Sequence, residues 1–198
     1  MKTGEYADSK ILKLRNAHNS IVWTFDLEVD AVLIRKERVS FAYRELFNGK
    51  ARMLLPCHFT QMPDEIAELR YLSKHRPHII LAGNDLTENI GVSCIARNGR
   101  GLHESMAIMK DAVEQTAVET VFYEKGTVDC KCCDGCWFEY KSFTINDEAY
   151  NLQFLIGSEQ MFLFGVFNCS MRHFEEWKPF ILKALEHTEI FDGIAQNG

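Results

Sequence analysis

The sequence contains no apolar run that approaches the roughly 20 residues of a membrane-spanning helix. Residues 1–10 are polar and hold no apolar core of the kind that a signal peptide requires. Low-complexity tracts, internal repeats and proline-rich linkers are also missing. We therefore expect a cytoplasmic protein whose residues 1–198 fold as a single domain.

Sequence motifs that carry catalysis are missing as well. The chain has no phosphate-binding loop, no dinucleotide fingerprint and no serine in a Gly-x-Ser-x-Gly context. Its net charge of −6 argues against a nucleic-acid-binding protein, because phosphate recognition requires a basic face. We expect neither nucleic acid nor a membrane as a partner. An enzyme whose site is assembled from residues distant in sequence stays open as the weakest alternative.

Apolar residues recur mostly with the period of β-strands, in a composition that is ordinary for a globular protein. The patterns predict strands at residues 21–29, 39–46, 52–56, 78–82, 90–96, 120–123, 136–145, 150–156 and 161–167. The almost continuous apolar run of the last one predicts a central strand. Helices are predicted from residue 62, at 102–118 and at 174–190, the last with Ser170 as its N-cap. This order favours an α+β protein with a largely antiparallel sheet.

Several motifs resemble those of a group of small, uncharacterised bacterial proteins. Residues 70–79, RYLSKHRPHI, are similar to the segment KYPSxxRPxII of that group, although Leu72 stands where the group usually has proline. Residues 150–152, 165–169 and 176–179 resemble its ending, YN…GxFNC…EWKP. The group is similar in architecture to the PsbP-like or Mog-type fold, which a photosystem II extrinsic subunit shares with a yeast nuclear import factor that binds the Ran GTPase.

The resemblance implies a three-layer α/β/α sandwich around a largely antiparallel sheet. Its core would cover residues 41–190, and residues 1–40 would form an N-terminal extension with a strand. Relatives of this architecture act in binding or assembly, so we expect a non-enzymatic protein-interaction module with a protein partner of unknown identity. No catalytic residue is carried over from the resemblance.

A cysteine cluster at residues 130–136 is the sharpest chemical feature, with the spacing Cys-x-Cys-Cys-x-x-Cys. Thiolates at such spacing can complete a tetrahedral zinc shell, which makes a metal-binding or thiol-responsive protein the alternative function. The candidate zinc ligands are Cys130, Cys132, Cys133 and Cys136. The nearby carboxylates of Asp129 and Asp134 would raise the thiol pKa, which argues against dithiol catalysis.

The dipeptide Asp134-Gly135 argues against the zinc site, because it is typical of a two-residue hairpin turn. Such a turn places Cys133 and Cys136 on one face of the hairpin and the other two cysteines on the opposite face. We therefore favour thiols without metal, or an adventitious disulfide between Cys133 and Cys136, and expect no cofactor. The remaining cysteines are predicted to be small buried apolar residues: Cys57, Cys94 and Cys169.

Overall fold

The structure is a computed structural model that describes residues 25–71, 76–116, 119–131, 133–143 and 147–192. The helices of this part of the chain are α1 (Asp64–Arg70), α2 (Leu102–Thr116) and α3 (Phe174–Glu186). Its strands are β1 (Val32–Ile34), β2 (Glu37–Val39), β3 (Phe41–Leu46), β4 (Ala51–Pro56), β5 (Thr60–Gln61), β6 (Ile79–Ala82), β7 (Asn89–Ala96), β8 (Val121–Asp129), β9 (Asp134–Phe143), β10 (Glu148–Gly157), β11 (Met161–Ser170) and β12 (Glu189–Ile190).

A seven-stranded sheet with the order β5-β6-β7-β11-β10-β9-β8 forms the middle layer. Every pairing between its described strands is antiparallel, as the hairpin-like connections predict. The continuous apolar run at 161–167 lies in β11, the fourth strand of the seven, so its predicted central position is confirmed. Both faces of such a strand are covered, which is why its apolar residues do not alternate with polar ones.

A layer that contains a helix covers each face of this sheet. Successive side chains along a strand point to opposite faces, so they pack against different layers. Even-numbered residues of β9 and β11, such as Phe138 and Phe162, pack with Met106 of α2. Odd-numbered residues, such as Phe167, pack with Trp177 of α3 and with the small sheet β12-β4-β3. The result is an α+β sandwich of three layers. No described helix is long and apolar enough to cross a membrane.

The larger core lies on the α3 face and is dominated by aromatic rings. Trp177 of α3 lies with its ring centroid 5.6 Å from that of Phe167 on β11 and 6.0 Å from that of Phe59. Burial of large aromatic side chains at such distances contributes strongly to core stability. The predicted role of Trp177, packing the last helix onto the sheet, is therefore the one that the structure shows.

Residues 25–40 join this larger core. Val32, Ile34 and Val39 of the β1-β2 hairpin are buried in it. The hairpin turn places Arg35 at a φ of 52°, and its guanidinium reaches the buried carboxylate of Glu88 at 2.5 Å. The strand predicted at residues 21–29 is wrong where it can be compared, because residues 27–29 form a turn; residues 21–24 lie outside the described part.

The C-terminal helix is shorter than its predicted range of residues 174–190. It ends at Glu186, and Ile190 pairs with Ala51 of β4 as part of β12. The predicted N-cap is also wrong, because Ser170 is the last residue of β11 and its hydroxyl donates to Asp147 at 3.0 Å. Glu189 and Ile190 do not continue the helix, because their pairing with β4 requires extended backbone dihedrals and a helix requires different ones.

Candidate functional site

The hairpin that carries the cysteine cluster reverses direction between Cys130 and Cys133, three residues before the predicted turn. Asp129 pairs with Asp134, and the backbone N–H of Cys130 donates to the carbonyl of Cys133 at 3.0 Å. Gly135 lies within β9, where an added Cβ would stand 2.5 Å from Cγ1 of Val128. The glycine therefore permits close packing inside the sheet and does not form the turn.

Successive side chains of a strand point to opposite faces. Moving the turn by three residues, an odd number, therefore changes which cysteines share a face of the hairpin. Cys130 and Cys133 are half-buried and pack together against the larger core on the α3 face. Cys136 is only 4% exposed and lies on the opposite face with Phe138 and Leu155. The predicted disulfide between Cys133 and Cys136 is therefore wrong, because the sheet lies between the two side chains.

The position of Cys136 on the opposite face also affects the predicted zinc shell of Cys130, Cys132, Cys133 and Cys136. Cys136 cannot reach an ion held by Cys130 and Cys133, so the four sulfurs do not fit one tetrahedral shell. Within the described ranges, no group of three or more histidine, cysteine, aspartate or glutamate side chains is placed to hold a metal ion. Cys132 itself lies outside the described residues.

The thiols of Cys130 and Cys133 contact the C-terminal end of α3. Sγ of Cys130 lies 3.2 Å from the carbonyl oxygen of Leu185, and Sγ of Cys133 lies 4.0 Å from that of Thr188. The hydrogen bond with Cys133, together with burial, raises the pKa of Cys130. This thiol therefore stays protonated at neutral pH and is a poor nucleophile.

Polar side chains surround Lys131 at the tip of the same loop. Nζ of Lys131 donates to the Tyr43 hydroxyl at 3.3 Å, and that hydroxyl donates to Glu28 at 2.7 Å. Nδ1 of His187 lies 3.0 Å from the same carboxylate, so the loop, β3 and the end of α3 meet at Glu28. The hydrogen bond from Tyr43 is the largest of the effects that lower the pKa of Glu28. Lys131 and Glu28 are exposed, so their ion pair positions the loop more than it stabilises the fold.

The other cysteines differ in their surroundings. Cys169 is buried, as predicted, and burial raises its pKa. Cys94 is half-buried. Cys57 is exposed, so the prediction that it is buried is wrong: it follows the last residue of β4, where its N–H donates to the carbonyl of Ser40.

A buried ion pair joins α3 to the sheet near the EWKP motif. Glu139 of β9 is only 3% exposed and accepts hydrogen bonds from Tyr150 at 2.5 Å and from Nζ of Lys178 at 2.9 Å. Lys178 also bonds Glu124 of β8 at 2.7 Å. Burial and the neighbouring Glu139 carboxylate raise the pKa of Tyr150, so its hydroxyl remains a donor. This network holds the end of the sheet against α3.

Strand β8 lies at the end of the seven-stranded sheet, and no described strand pairs with its outer side. It is nine residues long, whereas β5 at the opposite end has two. Most of its side chains are exposed. We call Val121–Asp129 the β8 edge. An edge of this length presents backbone donors and acceptors that another extended chain can pair with.

Three half-exposed apolar side chains lie at one end of the β8 edge. Val121, Tyr123 and Phe143 are 43%, 47% and 48% exposed, and we call them the apolar strip. Val121 pairs with Lys141, whose Nζ lies 4.7 Å from the centroid of the Phe143 ring. The hydrogen bond to Glu148 raises the pKa of Lys141.

Solved structures share this architecture. The solution structure of cyanobacterial PsbP (CyanoP) from Synechocystis sp. PCC 6803 matches with a TM-score of 0.56 at 8% identity, covering 76% of this chain and 92% of that chain. The chain has a PsbP-like fold. The protein Mog1 matches with a TM-score of 0.52 at 10% identity, covering 77% of this chain and 97% of that chain. No family model matches the sequence, and the search of curated proteins found no match.

The PsbP-like fold confirms the architecture that the motifs implied, and at these identities it says nothing of function. The β8 edge was not predicted: the pattern indicated a strand opening at residues 120–123 and gave no position for it in the sheet. The available signal was the apolar run Val121-Phe122-Tyr123. The Glu139–Lys178 pair, whose members are 39 residues apart, was not predicted either.

Proposed function

We propose that the protein is a non-enzymatic, cytoplasmic protein-interaction module that binds an extended segment of a partner protein along the β8 edge. The observation that carries this proposal is the combination of a nine-residue strand whose outer side pairs with no described strand and an apolar strip beside it. Addition of a strand to an open sheet edge is a recurring mode of peptide recognition.

In strand addition, the backbone and the side chains make different contributions to binding. Outward N–H and C=O groups of the β8 edge supply affinity for any extended chain, whereas side-chain contacts select the sequence. Val121, Tyr123 and Phe143 offer a surface for apolar side chains at alternate positions of the added segment. Tyrosine and phenylalanine are residue types that protein interfaces favour. The expected ligand is therefore an extended segment with an apolar residue at every second position.

Features of the same strand restrict which segments can pair with it. The register of β8 against β9 shifts between Phe122 and Lys125, and Lys125 is exposed. Irregular pairing and an exposed lysine protect natural sheet edges from indiscriminate association. A segment that fits would place an acidic residue near Lys125, because a like charge opposite it would be destabilising. The edge therefore favours one matched partner over general aggregation.

A photo-crosslinking amino acid at Tyr123 tests the proposal in cells that produce the protein. We expect one partner to be crosslinked there at a level at least ten-fold above that found with the same amino acid at Ile108. Ile108 on α2 is 47% exposed and so matches Tyr123 in accessibility while lying on another element. The measurement is mass spectrometry of the crosslinked bands.

A second variant decides whether the apolar strip is responsible. Phe143→Glu in the protein that carries the crosslinker at Tyr123 should abolish the crosslink, while Leu69→Glu, at a 77% exposed position of α1, should leave it unchanged. Equal crosslinking from Tyr123 and Ile108, or a crosslink that survives Phe143→Glu, would show that the β8 edge is not the docking site. A crosslink to a second copy of this chain would replace the proposed partner by self-association.

A further inference from the structure

We infer that Cys130 and Cys133 form a dithiol modification site, which a small disulfide oxidant of the glutathione class converts reversibly into a disulfide that releases the 130–133 loop from the end of α3. This site directly follows Asp129, at the end of β8 opposite the apolar strip. The predicted zinc shell included Cys130 and Cys133 as metal ligands, and the predicted disulfide joined Cys133 to Cys136, so a disulfide between Cys130 and Cys133 is a different assignment.

The backbone already holds the two cysteines at a suitable separation. They flank the turn as a directly opposed pair, with the N–H of Cys130 donating to the carbonyl of Cys133 at 3.0 Å. Opposed residues of a hydrogen-bonded pair have Cα atoms about 5.5 Å apart, which is within the range that disulfides require. Both side chains also lie on the same face of the hairpin, against the larger core. A bond between the sulfurs therefore needs side-chain rotation and no change of register.

The chemistry balances with one disulfide oxidant. Because the Cys130 thiol stays protonated, Cys133 is the cysteine that loses its proton and attacks the oxidant, which forms a mixed disulfide and releases one thiol of the oxidant. The second cysteine then loses its proton and displaces the other thiol. In sum, two cysteine thiols lose two electrons and two protons, and the oxidant disulfide becomes two thiols. An excess of a reducing dithiol reverses both steps.

In the reduced protein, each sulfur contacts a backbone carbonyl oxygen in the last turn of α3 or just after it. Cys130 faces the carbonyl of Leu185 at 3.2 Å, and Cys133 faces that of Thr188 at 4.0 Å. Hydrogen bonding with Cys133 and burial raise the pKa of Cys130, with smaller contributions from the carboxylates of Asp134 and Glu186, so the resting form is the protonated thiol. A disulfide has no S–H group, so oxidation removes both contacts at once.

Lys131 links the two cysteines to polar side chains at the surface. It lies between the two cysteines, and its Nζ contacts Tyr43 and, at 3.5 Å, the carboxylate of Glu28. His187 shares that carboxylate. When the loop loses its contacts to Leu185 and Thr188, this exposed polar cluster loses the support that positions it. The oxidised protein therefore differs most at the end of α3 and the start of β12.

Trypsin offers a direct test, because Lys131 lies between the two cysteines. In the Cys132→Ser, Cys136→Ser variant, the tryptic peptides 126–131 and 132–141 each retain one cysteine of the pair. Oxidised glutathione at millimolar concentration should join these peptides in more than half of the native protein, and dithiothreitol should separate them. Mass spectrometry of the digest, after blocking remaining thiols, measures the joined fraction.

Single variants and a dynamic readout complete the test. Cys136→Ser should leave the joined fraction unchanged, and Cys133→Ser should remove it, with Cys130→Ser as a second variant that must also remove it. In the oxidised wild-type protein, amide hydrogen exchange of residues 185–190 should accelerate at least ten-fold, while α2 remains unchanged. Peptides that stay separate, or a link that leaves exchange at residues 185–190 unaltered, would overturn the inference.

Discussion

Replacement of Lys178 by alanine should lower the free energy of unfolding by about 3–5 kcal/mol. The substitution leaves Glu139, which is only 3% exposed, without its cationic partner inside the sheet layer. Tyr150 and the backbone N–H of Glu124 still donate to this carboxylate, but two neutral hydrogen bonds cannot offset the desolvation of a buried charge. Guanidinium denaturation of wild-type and variant proteins measures the difference.

Removing a lysine at the surface is the control that distinguishes the loss of a buried ion pair from the loss of a positive charge. Lys110→Ala removes a lysine that pairs with Glu114 on the surface of α2, and it should cost less than about 1 kcal/mol. The triple substitution Lys178→Met, Glu139→Leu, Tyr150→Phe should recover most of the stability, because apolar residues of similar size can replace a buried ion pair and no buried hydroxyl is left without an acceptor. A loss for Lys178→Ala no larger than that for Lys110→Ala would contradict the assignment of a buried pair.

Gly165→Ala should destabilise the protein by about 1–3 kcal/mol, because the site is already filled. Gly165 lies in the central strand directly opposite Phe154 of β10. An added Cβ would stand 2.2 Å from Cζ of that ring, which is fully buried and cannot move aside without displacing its neighbours. Thermal and guanidinium denaturation report the loss.

A rescue distinguishes this overpacking from a general effect of alanine. In the Phe154→Leu background, Gly165→Ala should cost less than half of what it costs in the wild type, since the shorter side chain leaves room for the methyl group. Gly101→Ala is the control, because its new Cβ would meet no atom closer than 3.9 Å, and it should change stability by less than about 0.5 kcal/mol. Equal costs in both backgrounds would contradict the predicted clash.

Local patterns in the sequence were sufficient to predict most strands and the helix α2. The run at residues 161–167 identified the central strand, and the spacing of residues 102–118 identified α2, because apolar periodicity follows directly from burial. The motif resemblance added the three-layer architecture. Trp177 was correctly predicted to pack the last helix on the sheet.

The turn of the cysteine hairpin shows why local patterns fail. Asp134-Gly135 has the chemistry of a turn, yet Gly135 is required where Val128 and Ile156 leave no room for a side chain. That constraint comes from neighbouring strands, and no window of the hairpin sequence contains it. Because the error was an odd number of residues, it assigned the cysteines to the wrong faces and so gave the wrong disulfide pair.

The candidate docking surface depends on strand order, which is a property of the whole sheet. Nothing in residues 121–129 distinguishes an edge strand from an interior one, except an exposed lysine and a partial loss of alternation. The position of β8 at the end of the described sheet, and its proximity to Phe143, appear only when all seven strands are placed. The same is true of the Glu139–Lys178 pair, which joins β9 to α3.

Amide hydrogen exchange of the complex with the crosslinked partner tests the proposed strand addition most directly. In the free protein, the outward amides of the β8 edge have no described strand to pair with and should exchange rapidly. Bound partner should slow exchange at least ten-fold at alternate residues of Val121–Asp129, with little change in α2. Unchanged exchange along β8, with protection confined to another surface, would contradict the account.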